Sequence, residues 1–268
     1  DRIDAPAKLE GTALYGADVG PADSLWLRVV RSPHAHANFT LGDFEDVLDR
    51  HSGLARVLTW ADVPGNNGFG IYPHIKDQAV LANGRVRYRG DAVVALVGSR
   101  SAVESVRDDE LPITWEPLDV VASLDEAMKS GAPRIHDDCN DNILTRGHLQ
   151  KGDATAGLET AYVQAESRWD TTFVEHAYIE PEAGFAQRIG DRIEIHVSTQ
   201  SPYMDRDEVA QVMGFEPHRI RIVPTACGGG FGGKLDVSVQ PILALAAWHL
   251  ERPVRCIYTR PESMAAST

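Results

Sequence analysis

The amino-acid sequence predicts an α+β fold built in two parts, on three observations. Residues 1–118 show short strands mixed with short helices. From residue 160 onward, the alternation of polar and apolar residues lengthens into longer strands. Between the two parts, residues 119–150 are polar and rich in turn-forming residues. We therefore expect a first domain at 1–118, a linker at 119–150 and a second domain at 151–268.

The elements of the first part follow from the spacing of its apolar residues. The pattern predicts strands over residues 24–31, 55–59, 92–97 and 111–115, and helices over residues 43–51 and 101–109. In the linker, Ser123 is placed to cap a short helix, which the Gly-Ala-Pro sequence at 131–133 then ends.

The second part is expected to combine strands with two longer helices. Strands are predicted over residues 161–172, 192–198 and 219–223. An amphipathic helix is predicted over residues 203–213, with Gly214 just past its C-terminal end. Ser238 is predicted to cap a second, apolar helix that contains Pro241 in its first turn.

The most informative stretch is the loop at residues 227–234, CGGGFGGK, which carries five glycines in six positions. Glycines let a backbone approach a ligand closely, and the N–H groups of such a loop suit anionic or oxo oxygens. The loop fits the dinucleotide fingerprint G-x-G-x-x-G and, up to Lys234, the phosphate-binding P-loop. However, a P-loop needs a hydroxyl where this chain has Leu235, and the 35 residues after Gly233 are too few for a dinucleotide fold. A close packing turn between strand and helix is the alternative that needs no ligand.

Composition and charge exclude several classes of protein. A net charge of −13 argues against binding to a nucleic-acid backbone, and no apolar run is long enough for a membrane span. The three cysteines are widely spaced and odd in number, which favours a reducing compartment and predicts a cytoplasmic location. Because their spacing fits neither zinc nor an iron–sulfur cluster, any metal must be held by something other than cysteine. We expect no direct metal ligand in this chain.

Four spaced blocks in the first part form a recognisable pattern. They are RIDAPAK at 2–8 with GTA at 11–13, SPHAHA at 32–37, GDAVV at 90–94 and WEPL at 115–118. In this order the blocks resemble the α/β hammerhead domain that opens the large subunit of molybdenum hydroxylases. His34 and His36 are interpreted as turn residues satisfied by the backbone, since no third ligand lies near them in sequence.

A second set of blocks lies in the second part. It consists of EHAYIEPE at 175–182, TQSP at 199–202, GGGFGGK at 228–234 and RPVR at 252–255. These blocks are similar to the first part of the molybdopterin-binding region of the xanthine dehydrogenase and aldehyde oxidase family. The combination of Gln200 with the glycine loop is more specific than either feature alone.

Four neighbouring side chains, Glu175, His176, Glu180 and Glu182, suggest a metal or catalytic site at first sight. Alternate residues of a strand face opposite sides, and Pro181 interrupts the run. We therefore interpret these side chains as partners in ion pairs or hydrogen bonds, outside the site.

The resemblance implies a pterin-dithiolene molybdenum cofactor, in mononucleotide or dinucleotide form. It also implies hydroxylation of an aldehyde or N-heterocycle carbon with oxygen from water. Gln200 matches the family glutamine whose amide donates to the apical molybdenum oxygen without adding charge. Phe231 and Gly232 match the loop positions whose backbone N–H groups face the molybdenum oxygens. Gly229 and Gly230 are expected to allow that close approach.

The resemblance also has implications for substrate, base and partners. Purine-oxidising relatives tend to carry a glutamate just after the loop lysine, so Leu235 at that position favours aldehydes or less polar heterocycles. The family's catalytic glutamate lies several hundred residues later, beyond Thr268, so we expect no catalytic residue in this chain. The implied partners are the remainder of the large subunit, an iron–sulfur subunit and an FAD subunit. The first residue, which is not methionine, and the small polar tail predict a fragment or a split subunit.

Two rival functions remain open from the sequence. The first is a nucleotide- or phosphate-binding module that uses the 228–234 loop. The second is a structural remnant that binds no cofactor. Metal analysis separates the three, because molybdenum with a pterin chromophore supports the hydroxylase and magnesium-dependent nucleotide binding supports the module.

Overall fold

The computed structural model describes residues 3–266 and contains both helices and sheets, which confirms the predicted α+β class. In these residues the strands are β1 (Leu25–Arg31), β2 (Ala37–Leu41), β3 (Leu54–Leu58), β4 (Arg85–Val86), β5 (Ala92–Gly98), β6 (Ile113–Pro117), β7 (Ala183–Ile189), β8 (Arg192–Val197), β9 (Ile220–Pro224) and β10 (Val254–Ile257). The α-helices are α1 (Ala5–Leu9), α2 (Glu45–Arg50), α3 (Arg100–Ser105), α4 (Leu124–Ala127), α5 (Ala154–Glu159), α6 (Pro202–Met213), α7 (Gln240–Leu250) and α8 (Arg260–Ala266).

The described chain separates into two units, residues 3–120 with 176–266, and Val121–Glu175. The first unit contains a seven-stranded sheet in the order β3-β5-β1-β10-β7-β8-β9 and a three-stranded sheet in the order β4-β2-β6. In the larger sheet, β1 pairs with β10 and β8 with β9 in parallel, and the other pairs are antiparallel. The division at 1–118, 119–150 and 151–268 stays a prediction.

Helix α7 supplies much of the core of the first unit. Its first eight residues are all buried, and apolar side chains of α6, β8 and β10 belong to the same hydrophobic cluster. The helix begins at Gln240 with Val239 in the capping position, so the prediction that Ser238 caps it is wrong. The side chain of Gln240 folds back instead, and its Oε1 accepts a hydrogen bond from the Ser238 N–H at 2.7 Å. Pro241 lies in the first turn, as predicted.

The second unit, Val121–Glu175, contains two short helices in the described chain. Ser123 Oγ accepts a hydrogen bond from the Glu126 N–H at 3.2 Å, which confirms the predicted cap of α4. The predicted strand at 161–172 is wrong for this structure, because these residues are exposed and have no ladder of hydrogen bonds to a neighbouring strand. A strand needs such a neighbour to satisfy its backbone groups.

Within residues 3–266, no helix combines the length and the apolar character needed to cross a membrane.

Candidate functional site

Sheet topology brings Gln200 and the glycine loop together. Strand β8 pairs in parallel with β9, so that Val197 lies opposite Pro224 at their carboxyl ends. Gln200 follows β8 by three residues, and the loop at 228–234 follows β9. Carboxyl ends of adjacent parallel strands are a common place for a ligand site. The two features that the sequence singled out therefore lie side by side.

The side chain of Gln200 is held by the loop. Its Oε1 accepts hydrogen bonds from the backbone N–H groups of Gly232, at 3.1 Å, and Lys234, at 3.3 Å. The Gln200 N–H also donates to the Lys234 carbonyl oxygen at 2.9 Å. An amide whose oxygen meets two N–H donors has its NH₂ group directed the other way, as a donor. Gln200 is exposed, so this NH₂ group can meet a ligand at the surface.

Two loop glycines are explained by close contacts within the protein. A Cβ atom at Gly230 would lie 2.4 Å from Gln200 Oε1, and one at Gly229 would lie 2.9 Å from Tyr178 Cβ. A side chain at either position would force its neighbour to move, and at Gly230 it would push Gln200 Oε1 away, so glycine at 230 is required for the contact with Gln200. Their predicted role in admitting a cofactor stays a prediction.

Phe231 and Gly232 form the outward tip of the loop. Both have positive φ, 53° and 103°, and the Phe231 side chain is 76% exposed. In the described chain the Phe231 N–H has no protein acceptor. The Gly232 N–H, by contrast, is occupied by Gln200 Oε1. Of the two predicted backbone donors, therefore, only the Phe231 N–H has no protein acceptor in the described chain and can donate to a ligand.

A buried ion pair fixes the loop from beneath. Lys234 is buried, and its Nζ donates to Glu180 Oε2 at 2.9 Å, to the Glu180 carbonyl oxygen at 2.9 Å and to Ser198 Oγ at 3.0 Å. Glu180 Oε2 also accepts from Ser198 Oγ at 2.7 Å and from the Gly228 N–H at 2.7 Å, and its Oε1 accepts from the Gly16 N–H at 3.0 Å. One carboxylate thus connects both ends of the loop to β8 and to the N-terminal segment.

These contacts also set the ionisation of Glu180. Burial is the largest influence and acts to raise the pKa of the carboxyl group. Hydrogen bonds from Gly228, Ser198, Lys234 and Gly16 outweigh it, so the pKa lies below its ordinary value. Glu180 is therefore held as a carboxylate at neutral pH.

The geometry contradicts the P-loop interpretation. A P-loop lysine must reach the phosphates of a nucleotide, whereas the three donors of Lys234 are directed at Glu180 and Ser198. Helix α7 also begins only at Gln240, so its N-terminus does not directly follow the loop as a phosphate site requires.

Comparison with known families decides the assignment. The model of the molybdopterin cofactor-binding domain matches residues 135–268. The model of the aldehyde oxidase and xanthine dehydrogenase a/b hammerhead domain matches residues 10–116. The chain belongs to the molybdenum hydroxylase family. Both resemblances in the sequence are thereby confirmed.

This molybdenum hydroxylase chain is similar to "Nicotinate dehydrogenase large molybdopterin subunit" of Eubacterium barkeri, at 34% identity over 268 residues, which are 100% of this chain and 62% of that protein. It is 29% identical to "Xanthine dehydrogenase molybdenum-binding subunit" of Escherichia coli O157:H7 over 99% of this chain and 36% of that protein. Aldehyde oxidoreductase from Desulfovibrio desulfuricans has the same fold, with a TM-score of 0.90 and 23% identity over 99% of this chain and 31% of that chain. The chain spans less than two thirds of each.

Other candidates from the sequence of this hydroxylase chain have structural partners. Glu182 is buried and accepts a hydrogen bond from the Tyr178 hydroxyl. His36 is buried with its Nδ1 2.7 Å from the Asp119 carbonyl oxygen, and the His34 N–H donates to Ser32 Oγ at 3.0 Å. Within residues 3–266, no group of three or more His, Cys, Asp or Glu side chains is arranged to hold a metal ion.

A buried acid beside the site was missed from the sequence. Asp205, in α6, is fully buried, and its Oδ2 accepts a hydrogen bond from Gln240 Nε2 at 3.0 Å. Burial raises the pKa of Asp205 to about 7, against the opposing effects of Thr199 and Gln240. Asp205 occupies a buried position of an amphipathic helix, where an apolar side chain is expected. An aspartate at such a position was the signal by which the sequence could have revealed this residue.

Asp205 should make the stability of the chain depend on pH. A carboxyl group whose pKa is raised by folding stabilises the fold fully below its unfolded value of 3.8 and loses this effect as the pH rises to about 7. Between these two pH values, the contribution of Asp205 to the free energy of unfolding should fall by about 1.4 kcal/mol per pH unit. The isosteric Asp205→Asn variant should therefore lose less stability than the wild type between pH 4.5 and 7, measured from urea unfolding. Equal slopes for the two proteins would contradict the assignment.

Proposed function

We propose that this chain is the molybdenum-cofactor-binding part of an oxidoreductase that hydroxylates an aldehyde or N-heterocycle carbon with oxygen from water. Electrons then pass to iron–sulfur and FAD partners, and the remainder of the large subunit completes the site. The observation that carries the proposal is the hydrogen bonding of Gln200 Oε1 to the glycine loop. This hydrogen bonding directs the amide NH₂ group of Gln200 outward as a donor. The family model of the molybdopterin cofactor-binding domain, which matches the part of the chain that contains Gln200, supports the same proposal.

The residues present fit such a cofactor. The Gln200 NH₂ group and the Phe231 N–H are donors on the exposed side of the loop, and oxo and phosphate oxygens need donors of this kind. When bound, the cofactor would supply the redox chemistry and the oxygen transfer. Gln200 and Phe231 are the residues that we propose to hold it.

The contribution of the protein is to fix these donors before the cofactor arrives. Gln200 cannot rotate its amide without losing two hydrogen bonds, and the loop beneath it is anchored by the Lys234–Glu180 pair. Donors fixed in this way need little reorganisation when charge develops nearby. A neutral amide also orients a ligand without adding a charge that would shift a metal's reduction potential.

Leu235 bears on the substrate. It directly follows the loop, and its side chain is 38% exposed. An exposed leucine offers an apolar surface and no acceptor or donor to a polar purine edge. We therefore propose an aldehyde or a less polar N-heterocycle as the substrate class, and a cytoplasmic location for the enzyme.

The proposal is tested by the metal content of the chain when it is produced with its partner subunits in a host that makes molybdenum cofactor. We expect about one molybdenum atom per chain, together with a pterin chromophore, iron and flavin. A complete assembly that contains no molybdenum would refute the proposal. Stoichiometric magnesium and nucleotide would instead support the phosphate-binding alternative.

Gly232→Val is expected to lower the molybdenum content strongly while leaving the protein folded. A Cβ atom at Gly232 would meet only His176 Nε2, at 3.8 Å, so the loop has room for it. The positive φ of 103° is strained for a branched side chain, and the new side chain also lies where the cofactor should approach.

A matched control is Gly190→Val in the turn between β7 and β8. Gly190 also has positive φ, 62°, and open space around an added Cβ atom, but it lies outside the loop. This control should keep its molybdenum. Full molybdenum content in Gly232→Val would show that the proposed contact is wrong.

A further inference from the structure

Residues 161–174, AYVQAESRWDTTFV, have the sequence of an amphipathic β-strand. In a strand, alternate residues share a face. One face would carry only small, apolar or hydroxyl side chains: Ala161, Val163, Ala165, Ser167, Trp169, Thr171 and Phe173. The other would carry the charged and amide side chains Gln164, Glu166, Arg168 and Asp170, flanked by Tyr162, Thr172 and Val174. From Val163 to Phe173, this separation of charged from uncharged side chains by residue parity is the signature of a strand with one covered face.

The structure leaves both the backbone and the apolar face of this segment without partners. In the described chain, the N–H and C=O groups of residues 162–174 make no hydrogen bond. Val163 is 74% exposed, Trp169 87% and Phe173 106%. A polar linker would present few such side chains, because a large exposed apolar surface is costly in water. The segment therefore has the composition of an element that is covered in its working state.

We propose that residues 161–174 form a β-strand that pairs with a strand of the remaining part of the large molybdopterin subunit, which also covers the Trp169 and Phe173 face. An extended segment with unpaired N–H and C=O groups adds readily to the edge of a sheet. The inference rests on the proposed function, because it takes the rest of a molybdenum hydroxylase large subunit as the partner.

The lengths of the relatives support this choice of partner. This chain spans 62% of the nicotinate dehydrogenase large molybdopterin subunit. It spans 31% of the aldehyde oxidoreductase chain, and 99% of this chain matches that structure. The relatives thus have polypeptide beyond the matched region that can supply both a strand and an apolar layer. The mixed signs of Glu166, Arg168 and Asp170 on the opposite face suit contact with water or a polar surface.

The test is hydrogen exchange on the chain alone and on the chain co-expressed with the remainder of its large subunit. In the assembly, amides within 162–174 should exchange roughly 100-fold or more slowly than in the free chain, since strand pairing protects them. Fast exchange of this segment in an assembly with full molybdenum content would overturn the inference. Protection that appears only in a dimer of this chain with itself would overturn it as well.

Paired variants test which face is covered. Trp169→Ser with Phe173→Ser should weaken binding of the remaining subunit part by about 30-fold or more, because buried aromatic anchors dominate such interfaces. The control, Arg168→Ser with Asp170→Ser, changes the opposite face and should alter binding less than about threefold. Equal effects of the two pairs would overturn the assignment of the faces. A protected segment in an assembly without molybdenum would leave the strand pairing intact and refute the proposed function alone.

Discussion

The isolated 268-residue chain should show no turnover of aldehydes or N-heterocycles, even with cofactor supplied, and should gain activity only with the remainder of the large subunit. Hydroxylation with water needs a positioned base, which contributes about 10²–10⁴ in rate. The carboxylate nearest the loop, Glu180, is unsuitable because its oxygens accept four side-chain or backbone hydrogen bonds and its lowered pKa makes it a weak base. Asp205 is unsuitable as well, because it is fully buried and accepts a hydrogen bond from Gln240.

Exposure of the loop supports the same expectation. Gln200 and Phe231 lie at the surface of the described chain, so water competes for the donors that a cofactor would use. Hydrogen bonds and charge interactions are weaker in water than in an enclosed site. A second polypeptide that covers this surface would exclude water, and we propose that it also supplies the base.

The assay compares the chain alone, the remainder of the subunit alone and the two together, each with an artificial electron acceptor. Turnover should appear only in the mixture. A chain in which Gly232→Val blocks the proposed cofactor contact serves as the inactive control for the mixture. Turnover by the chain alone, proportional to its molybdenum content, would show that the base lies within these 268 residues.

Glu180→Ala should lower the free energy of unfolding by about 3–5 kcal/mol, the cost of leaving a buried charge without its partner. The substitution leaves the Lys234 ammonium group with the Ser198 hydroxyl and the residue 180 carbonyl oxygen as its protein acceptors in the described chain. It also leaves the N–H groups of Gly16 and Gly228 without an acceptor. Since Gln200 is held by the loop that this pair anchors, molybdenum content should fall together with stability.

Urea unfolding checks this prediction against two controls. Glu251→Ala removes the carboxylate of an exposed ion pair with Arg188, and exposed pairs are worth about 0–1 kcal/mol. Replacing both partners, with Glu180→Leu and Lys234→Met, should recover part of the stability, because no unpaired charge remains. A loss for Glu180→Ala no larger than that for Glu251→Ala would mean that the ion pair does not hold the loop.

Much of the candidate site was predictable, because its key features lie just beyond strands that periodicity reveals. Gln200 follows a strand predicted at 192–198, and the glycine loop follows one predicted at 219–223; the structure has β8 and β9 close to these positions. The sequence could not show that Gly232 donates to Gln200 instead of outward. That outcome depends on how two separate backbone segments approach, which no local pattern encodes.

The errors share a physical cause, since each concerns backbone groups whose hydrogen-bond partners no local pattern reveals. Ser238 has the side chain of a helix cap, yet Gln240 two residues later satisfies its N–H, and the helix starts further along. Residues 161–172 have the alternation of a strand, but alternation describes side chains and supplies no neighbour for the backbone. The phosphate-binding loop was only a rival interpretation, which Leu235 already argued against, and the pairing of Lys234 with the Glu180 carboxylate adds a second argument against it.

The position of β10 has a consequence for how the chain is synthesised and folds. β10 lies between β1 and β7, and Leu25 is paired with Val254 in parallel. The centre of the larger sheet therefore closes only after Val254 has left the ribosome, and closure across all the residues between Leu25 and Val254 slows folding. Until then β1 keeps one unpaired edge, a hazard for aggregation of the nascent chain. A polypeptide that ends before Val254 should collect in inclusion bodies, although it contains the whole of the segment matched by the hammerhead family.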